Sequence, residues 1–149
     1  TLHQKNSHFS KIQIKEFSIL FIMINYPQVV LKKVEDISKI IFLSEKNESL
    51  KKIIISSLLE RDNKEMIQSK ISVDYKKLIE EIQENSSIQI IVKVKNDEAI
   101  LELLSELLFE LQELNNLRKI ESLEKELINN LDENSYSELI KLKSQINRE

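Results

Sequence analysis

The sequence has no glycine, no cysteine and no tryptophan, and a single proline, Pro27, in 149 residues. The missing glycine excludes the most. Glycine supplies the positive backbone angles that tight hairpins and phosphate-cradling loops need. Without it there is no Walker A loop and no glycine-rich dinucleotide-binding turn. Connections between helices tolerate other residues. The missing cysteine excludes a disulfide framework and a thiolate zinc site. Aromatic residues make up only 5% of the chain, so the core must be built from Ile, Leu and Val.

What is present reads as a folded protein. The chain is 41% hydrophobic and 32% charged, which excludes general disorder. It begins at Thr1 rather than Met, so it is expected to be a fragment or a processed product. The strongest apolar run, Phe17 to Ile24, is interrupted by Ser18. It falls far short of the roughly 18 to 20 residues that span a bilayer. No small-residue cleavage site follows, as a signal peptide would require. Upstream, Ser10-Lys11-Ile12-Gln13 fits a capping box. A helix from there carries Ile12, Ile14, Phe17, Leu20, Phe21 and Ile24. It must stop before Pro27, whose ring disfavours helix in the residue ahead of it. A helix with no clean polar face is a central one.

Pro27 then suits the first position of a second helix with Val29, Val30, Val34 and Ile37 inward. Asn47 is the expected cap of a third, burying Leu50, Ile53, Ile54, Leu58 and Leu59. Asp62-Asn63-Lys64-Glu65 reads as a capping box for a short fourth, carrying Met66 and Ile67. Ser72 is the expected cap of a fifth, with Val73, Leu78, Ile79 and Ile82. Residues 88–94, IQIIVKV, alternate with the period of a strand, but no second alternating run offers a partner. They are read as an extended connector.

From Asp97 to Leu131 nothing breaks a helix. Eight of twelve residues from Ile100 to Leu111 are apolar, against five of twelve from Leu117 to Ile128. A wide apolar arc needs several neighbours and a narrow stripe needs one. The first half is therefore expected inside a bundle, and the second is expected to project and pair with a single helix. Asp132-Glu133-Asn134 is a short turn, and Ser135 to Glu138 fits another capping box. The last helix presents Leu139, Leu142 and Ile146 on one side and Tyr136, Ile140 and Lys143 on another. One stripe on the long helix, through Leu123 and Leu127, can cover only one of these sides. The expected fold is all-α: a helical bundle over residues 1–95, then a long connecting helix and a C-terminal helical hairpin over 96–149.

Charge divides at the same place. Residues 1–96 carry a net +4 and residues 97–149 a net −7. Glu98, Glu102, Glu106 and Glu110 form an acidic ridge, which is either a solvated face or a surface for a basic partner. No catalytic constellation emerges. His3 and His8 are poorly spaced for a metal, Ser56-Ser57 has no base nearby, and Glu80-Glu81-Glu84 and Asp132-Glu133 read as solvated carboxylates. The pairs Lys32-Lys33, Lys51-Lys52 and Lys76-Lys77 lack interleaved aromatics. With a pI near 5.6, duplex nucleic acid is not the expected main ligand.

Three stretches carry a resemblance: EFSILFIMINYPQVV, DEAILELLSELLFELQELNNL and YSELIKLKSQINRE. Together they resemble the C-terminal helicase-binding domain of bacterial DnaG-type primases. The resemblance implies a non-catalytic, cytoplasmic module without cofactors, recruiting primer synthesis to the replication fork. Its partner would be the N-terminal domain of the hexameric DnaB-type helicase, with no membrane and no strong direct nucleic-acid contact. Leu123, Leu127, Tyr136, Leu139, Ile140, Leu142, Lys143 and Ile146 are the expected contact residues, and the free chain is expected to be monomeric. The segment at 88–94 departs from the family pattern. The competing reading is a homodimeric coiled-coil scaffold using residues 97–131.

Overall fold

The computed structural model describes residues 9–85, 96–129 and 133–146. The predicted connector at 88–94, the histidines at 3 and 8, and the turn residue Asp132 lie outside them. The protein is all-α, with no strand among the described residues. The helices are α1 (Lys11–Asn25), α2 (Pro27–Val30), a 3-10 turn (Leu31–Lys33), α3 (Val34–Lys39), α4 (Glu45–Leu59), α5 (Lys64–Ile71), α6 (Lys76–Glu84), α7 (Asp97–Asn129) and α8 (Glu133–Ile146). Contacts divide the chain into two compact units, Thr1–Leu108 and Phe109–Glu149. The division falls inside α7 rather than at the 95/96 boundary read from the sequence. The reason is that Ile100, Leu104 and Leu108, all buried, count with the first unit.

The opening helix behaves as its sequence demands. The Ser10 hydroxyl accepts from the Gln13 amide at 3.2 Å, and the Gln13 side chain accepts from the Ser10 amide at 3.0 Å. The helix ends at Asn25, and Pro27 takes the first position of α2. Every residue from Glu16 to Ile24 is buried. Helix α1 packs against α2, α4, α5 and α6, so it is the axis of the first unit. Each large apolar side chain removed from water there contributes about 1.5 to 3 kcal/mol.

Two charged residues are sealed into this core. Glu16, on α1, accepts from the Leu43 amide at 2.7 Å and from the Asn47 side-chain amide at 2.9 Å. Burial pushes its carboxyl above the usual range, and these donors pull it partly back. Lys51, on α4, is only 1% exposed. Its ammonium donates to the Ile37 carbonyl at 3.3 Å and to the Ile40 carbonyl. It pairs with Glu48 at 2.8 Å and lies 4.9 Å from the centre of the Phe42 ring. A buried charge is tolerated only when paired and hydrogen-bonded. Lys51 meets that condition by holding the carbonyl end of α3.

Several local expectations are corrected. Ser44, not Asn47, caps α4 by accepting from the Asn47 amide at 3.4 Å, because Asn47 is drawn inward to Glu16. Ile53 and Leu59 face outward. Asn63, not Asp62, caps α5, accepting from the Met66 amide at 2.9 Å. Asp62 instead accepts from the Ser57 hydroxyl and pairs with Lys70. The Lys70 bond, then the Ser57 bond, hold its carboxyl below the usual range. In the turn before it, Arg61 takes a φ of 64°, a position that glycine usually fills. Ser72 caps no helix: residues 72–75 form a turn, α6 starts at Lys76, and Val73 is exposed. Lys51-Lys52 is not a surface pair, since only Lys52 is exposed.

Two outcomes follow from the buried charges. Lys51→Met removes the donor to the Ile40 carbonyl and the buried partner of Glu48, and should cost about 3 kcal/mol in urea unfolding. Lys52→Met should stay within about 0.5 kcal/mol of the parent. Glu16 has a raised carboxyl in the folded state, so its contribution is fully present below its unfolded value. That contribution is lost as the pH rises through the folded value. The stability difference between the parent and Glu16→Gln should therefore favour the parent more at pH 4 than at pH 7, a result thermal melts at both pH values would check.

Candidate functional site

The second unit consists of α7 from Phe109 onward and all of α8. Only three residues separate Asn129 from Glu133. The Lys143 ammonium meets the Glu124 carboxylate at 3.1 Å. Two helices with so short a join bring these residues together only by running antiparallel. The helical hairpin expected from the sequence is present. Helix α8 is already under way at Glu133, so Ser135 lies inside its first turn rather than at its cap.

The two sides of α8 separate as expected. Leu139 is buried, and Leu142 and Ile146 are half-buried. On α7, Ile120 is buried and Leu123 and Leu127 are half-buried. These six make the seam of the hairpin. On the other side of α8, Tyr136 is 57% exposed and Ile140 50% exposed. Lys143 is likewise about half exposed, and its pair with Glu124 is open to water, where such pairs contribute under about 1 kcal/mol. Tyr136 and Ile140 thus leave about half of their surface open to water.

The stripe on α7 is narrower than expected. Leu117 and Ile128 are both exposed, leaving Ile120, Leu123 and Leu127 as its members. A count of apolar residues does not show this. Their angular positions carry the signal: Leu117 and Ile128 are eleven residues apart, about 20° around the helix from each other, and well off the seam.

The other sequence candidates do not assemble. Ser56 is exposed and Ser57 is buried against Asp62, with no imidazole among the described residues. Glu80 and Glu84 are exposed and Glu81 is half-buried. Glu98, Glu102, Glu106 and Glu110 are all exposed along α7. Among the described residues no cluster of His, Cys, Asp or Glu could hold a metal ion. No single described helix is long and apolar enough to cross a bilayer. A groove of about 500 Å³ lies in the first unit between Asn25, Leu31, Leu58 and Arg61, open to solvent.

The seam and the outer face should respond differently to truncation. Leu139→Ala should destabilise α8 by about 2 kcal/mol, seen as faster amide hydrogen exchange over residues 136–146. Ile140→Ala should leave the exchange rates of the same amides within about twofold.

Compared with protein-family models, with curated proteins and with solved structures, the chain finds no match in any of the three.

Proposed function

We propose that this chain is the helicase-binding domain of a bacterial replicative DNA primase. The observation that carries the reading is the outer face of α8. Tyr136 and Ile140 are at least half exposed, on a helix whose opposite stripe closes the hairpin through Leu139. An exposed apolar face with polar neighbours is what a docking site has before its partner arrives. The resemblance over the opening helix, the long leucine-rich helix and the chain end supplies the identity of that partner.

In this reading the domain performs no chemistry, holds no cofactor and works in the bacterial cytoplasm as part of the replisome. The hairpin docks on the N-terminal domain of the hexameric replicative helicase. Docking tethers the polymerase part of the primase where unwound template emerges and raises its effective concentration there. The bundle modulates helicase activity, and the free chain is monomeric. Helix faces that enter apolar grooves use anchors three and four residues apart, as Tyr136, Ile140 and Lys143 are.

The test is capture of the free chain by the cognate helicase N-terminal domain. The parent should bind, deletion of residues 132–149 should abolish binding, and Ile140→Glu should weaken it at least tenfold without moving the melting of the bundle. Binding that survives the deletion would place the contact elsewhere. A free chain that sediments as a dimer with no helicase present would favour the coiled-coil scaffold.

A further inference from the structure

The ion pair between Lys143 and Glu124 orients the two helices of the hairpin about their axes. In each helix the charged residue sits about 70° around from the centre of the buried seam, in the direction of increasing residue number. In an antiparallel pair, residue numbers run away from a viewer along one helix and toward the viewer along the other. Equal rotations past the seam therefore carry side chains to the same side of the hairpin. Leu117 and Ile128 on α7, and Tyr136 and Ile140 on α8, all lie roughly 90° to 130° past the seam in that same direction. Ile128 is 82% exposed and Leu117 45% exposed. These four large apolar side chains surround the Lys143–Glu124 pair on one side. At matching angles on the other side stand Lys119 and Glu126 on α7 and Glu138 and Gln145 on α8, all exposed and all polar.

We infer that the hairpin docks through this one side, which both helices build, and that its occupant is an amphipathic helix whose apolar stripe is flanked by Lys or Arg. The charge on the surface chooses the flanks. Among the described residues the apolar side carries Glu113, Glu121 and Glu124. Within about 130° of the seam its one basic residue, Lys143, is already engaged with Glu124, and Lys125 lies beyond, near the back of α7. An acidic rim around an apolar centre attracts a basic rim and repels an acidic one. The exposed pair at the centre is neutral overall and imposes no charge of its own. The inference rests on the reading of the hairpin as the docking element, and it adds Leu117 and Ile128 as anchors and Glu121 as the residue that selects charge.

The test uses the full chain and two synthetic helical peptides of about fourteen residues, one with a leucine stripe flanked by lysines and one flanked by glutamates. Binding is read by fluorescence anisotropy, with helicity checked by circular dichroism. The lysine peptide should bind and the glutamate peptide should bind at least tenfold more weakly. Ile128→Gln and Ile140→Gln should each weaken the lysine peptide at least fivefold. Glu121→Lys should weaken it as well, while Lys119→Gln and Glu138→Gln on the opposite side should leave it within twofold. Equal losses from both sides, equal binding of the two peptides, or no binding of either would overturn the inference. So would concentration-dependent dimerisation of the chain alone that Ile128→Gln abolishes, because the occupant would then be a second copy. The same variants are run against the helicase N-terminal domain. If that domain fails to bind the parent while the lysine peptide binds one-sidedly, the primase reading fails and the inference stands. If the domain binds and both sides lose it equally, the reading stands and the inference fails.

Discussion

Lys51 places a full positive charge inside an apolar bundle, and the surrounding helices are arranged to satisfy it. An unpaired ammonium at that depth would cost several kcal/mol. It is accepted by two carbonyls at the end of α3 and by Glu48 one turn before it on α4. The Ile40 carbonyl would otherwise be an orphan acceptor at a helix terminus, and the Ile37 carbonyl would keep only the Ile40 amide at 3.3 Å. Glu48 also accepts from the Phe42 amide at 2.9 Å, so the connection from α3 to α4 is held at both ends. Glu16 completes the arrangement from α1 through Leu43 and Asn47. Apolar packing sets how much the bundle is stabilised. This polar cluster sets how α1, α3 and α4 sit relative to one another, because hydrogen bonds have direction and dispersion does not.

That division explains what the sequence discloses. The signals that act over three or four residues are legible: the Ser10–Gln13 capping box, the stop at Pro27 and the unbroken helix from Asp97. The polar cluster is not. Glu16 meets Leu43 and Asn47 across 27 and 31 positions of sequence, and no local pattern encodes that meeting. Its effect reaches back to the local level. Asn47 is a good capping residue by type, but its side chain is used by Glu16, and Ser44 takes the cap instead. Asp62 loses its expected cap in the same way, to Ser57 and Lys70. Asn47 is thus a residue with two competing uses, one near in sequence and one far.

The hairpin was legible to a different degree on its two helices. On α8 the apolar residues fall into two separate angular groups, so periodicity alone divides Leu139 from Ile140. On α7 the same two groups exist, Ile120, Leu123 and Leu127 against Leu117 and Ile128, but a count of apolar residues along the chain merges them; exposure agrees with the angular division. A stripe three residues long suffices to hold a helix of fourteen, since each contact adds cooperatively to a helix that would be marginal alone.

Arg61 shows what a glycine-free chain does when it needs a left-handed turn. A side chain in that region strains the folded state by about 1 to 2 kcal/mol. The same side chain restricts the unfolded chain, where glycine would roam more widely, by up to about 1 kcal/mol. The two effects oppose each other and are of similar size. The consequence extends to every connection in the protein: with no glycine anywhere, the denatured ensemble is narrower throughout, and folding surrenders less disorder at each turn.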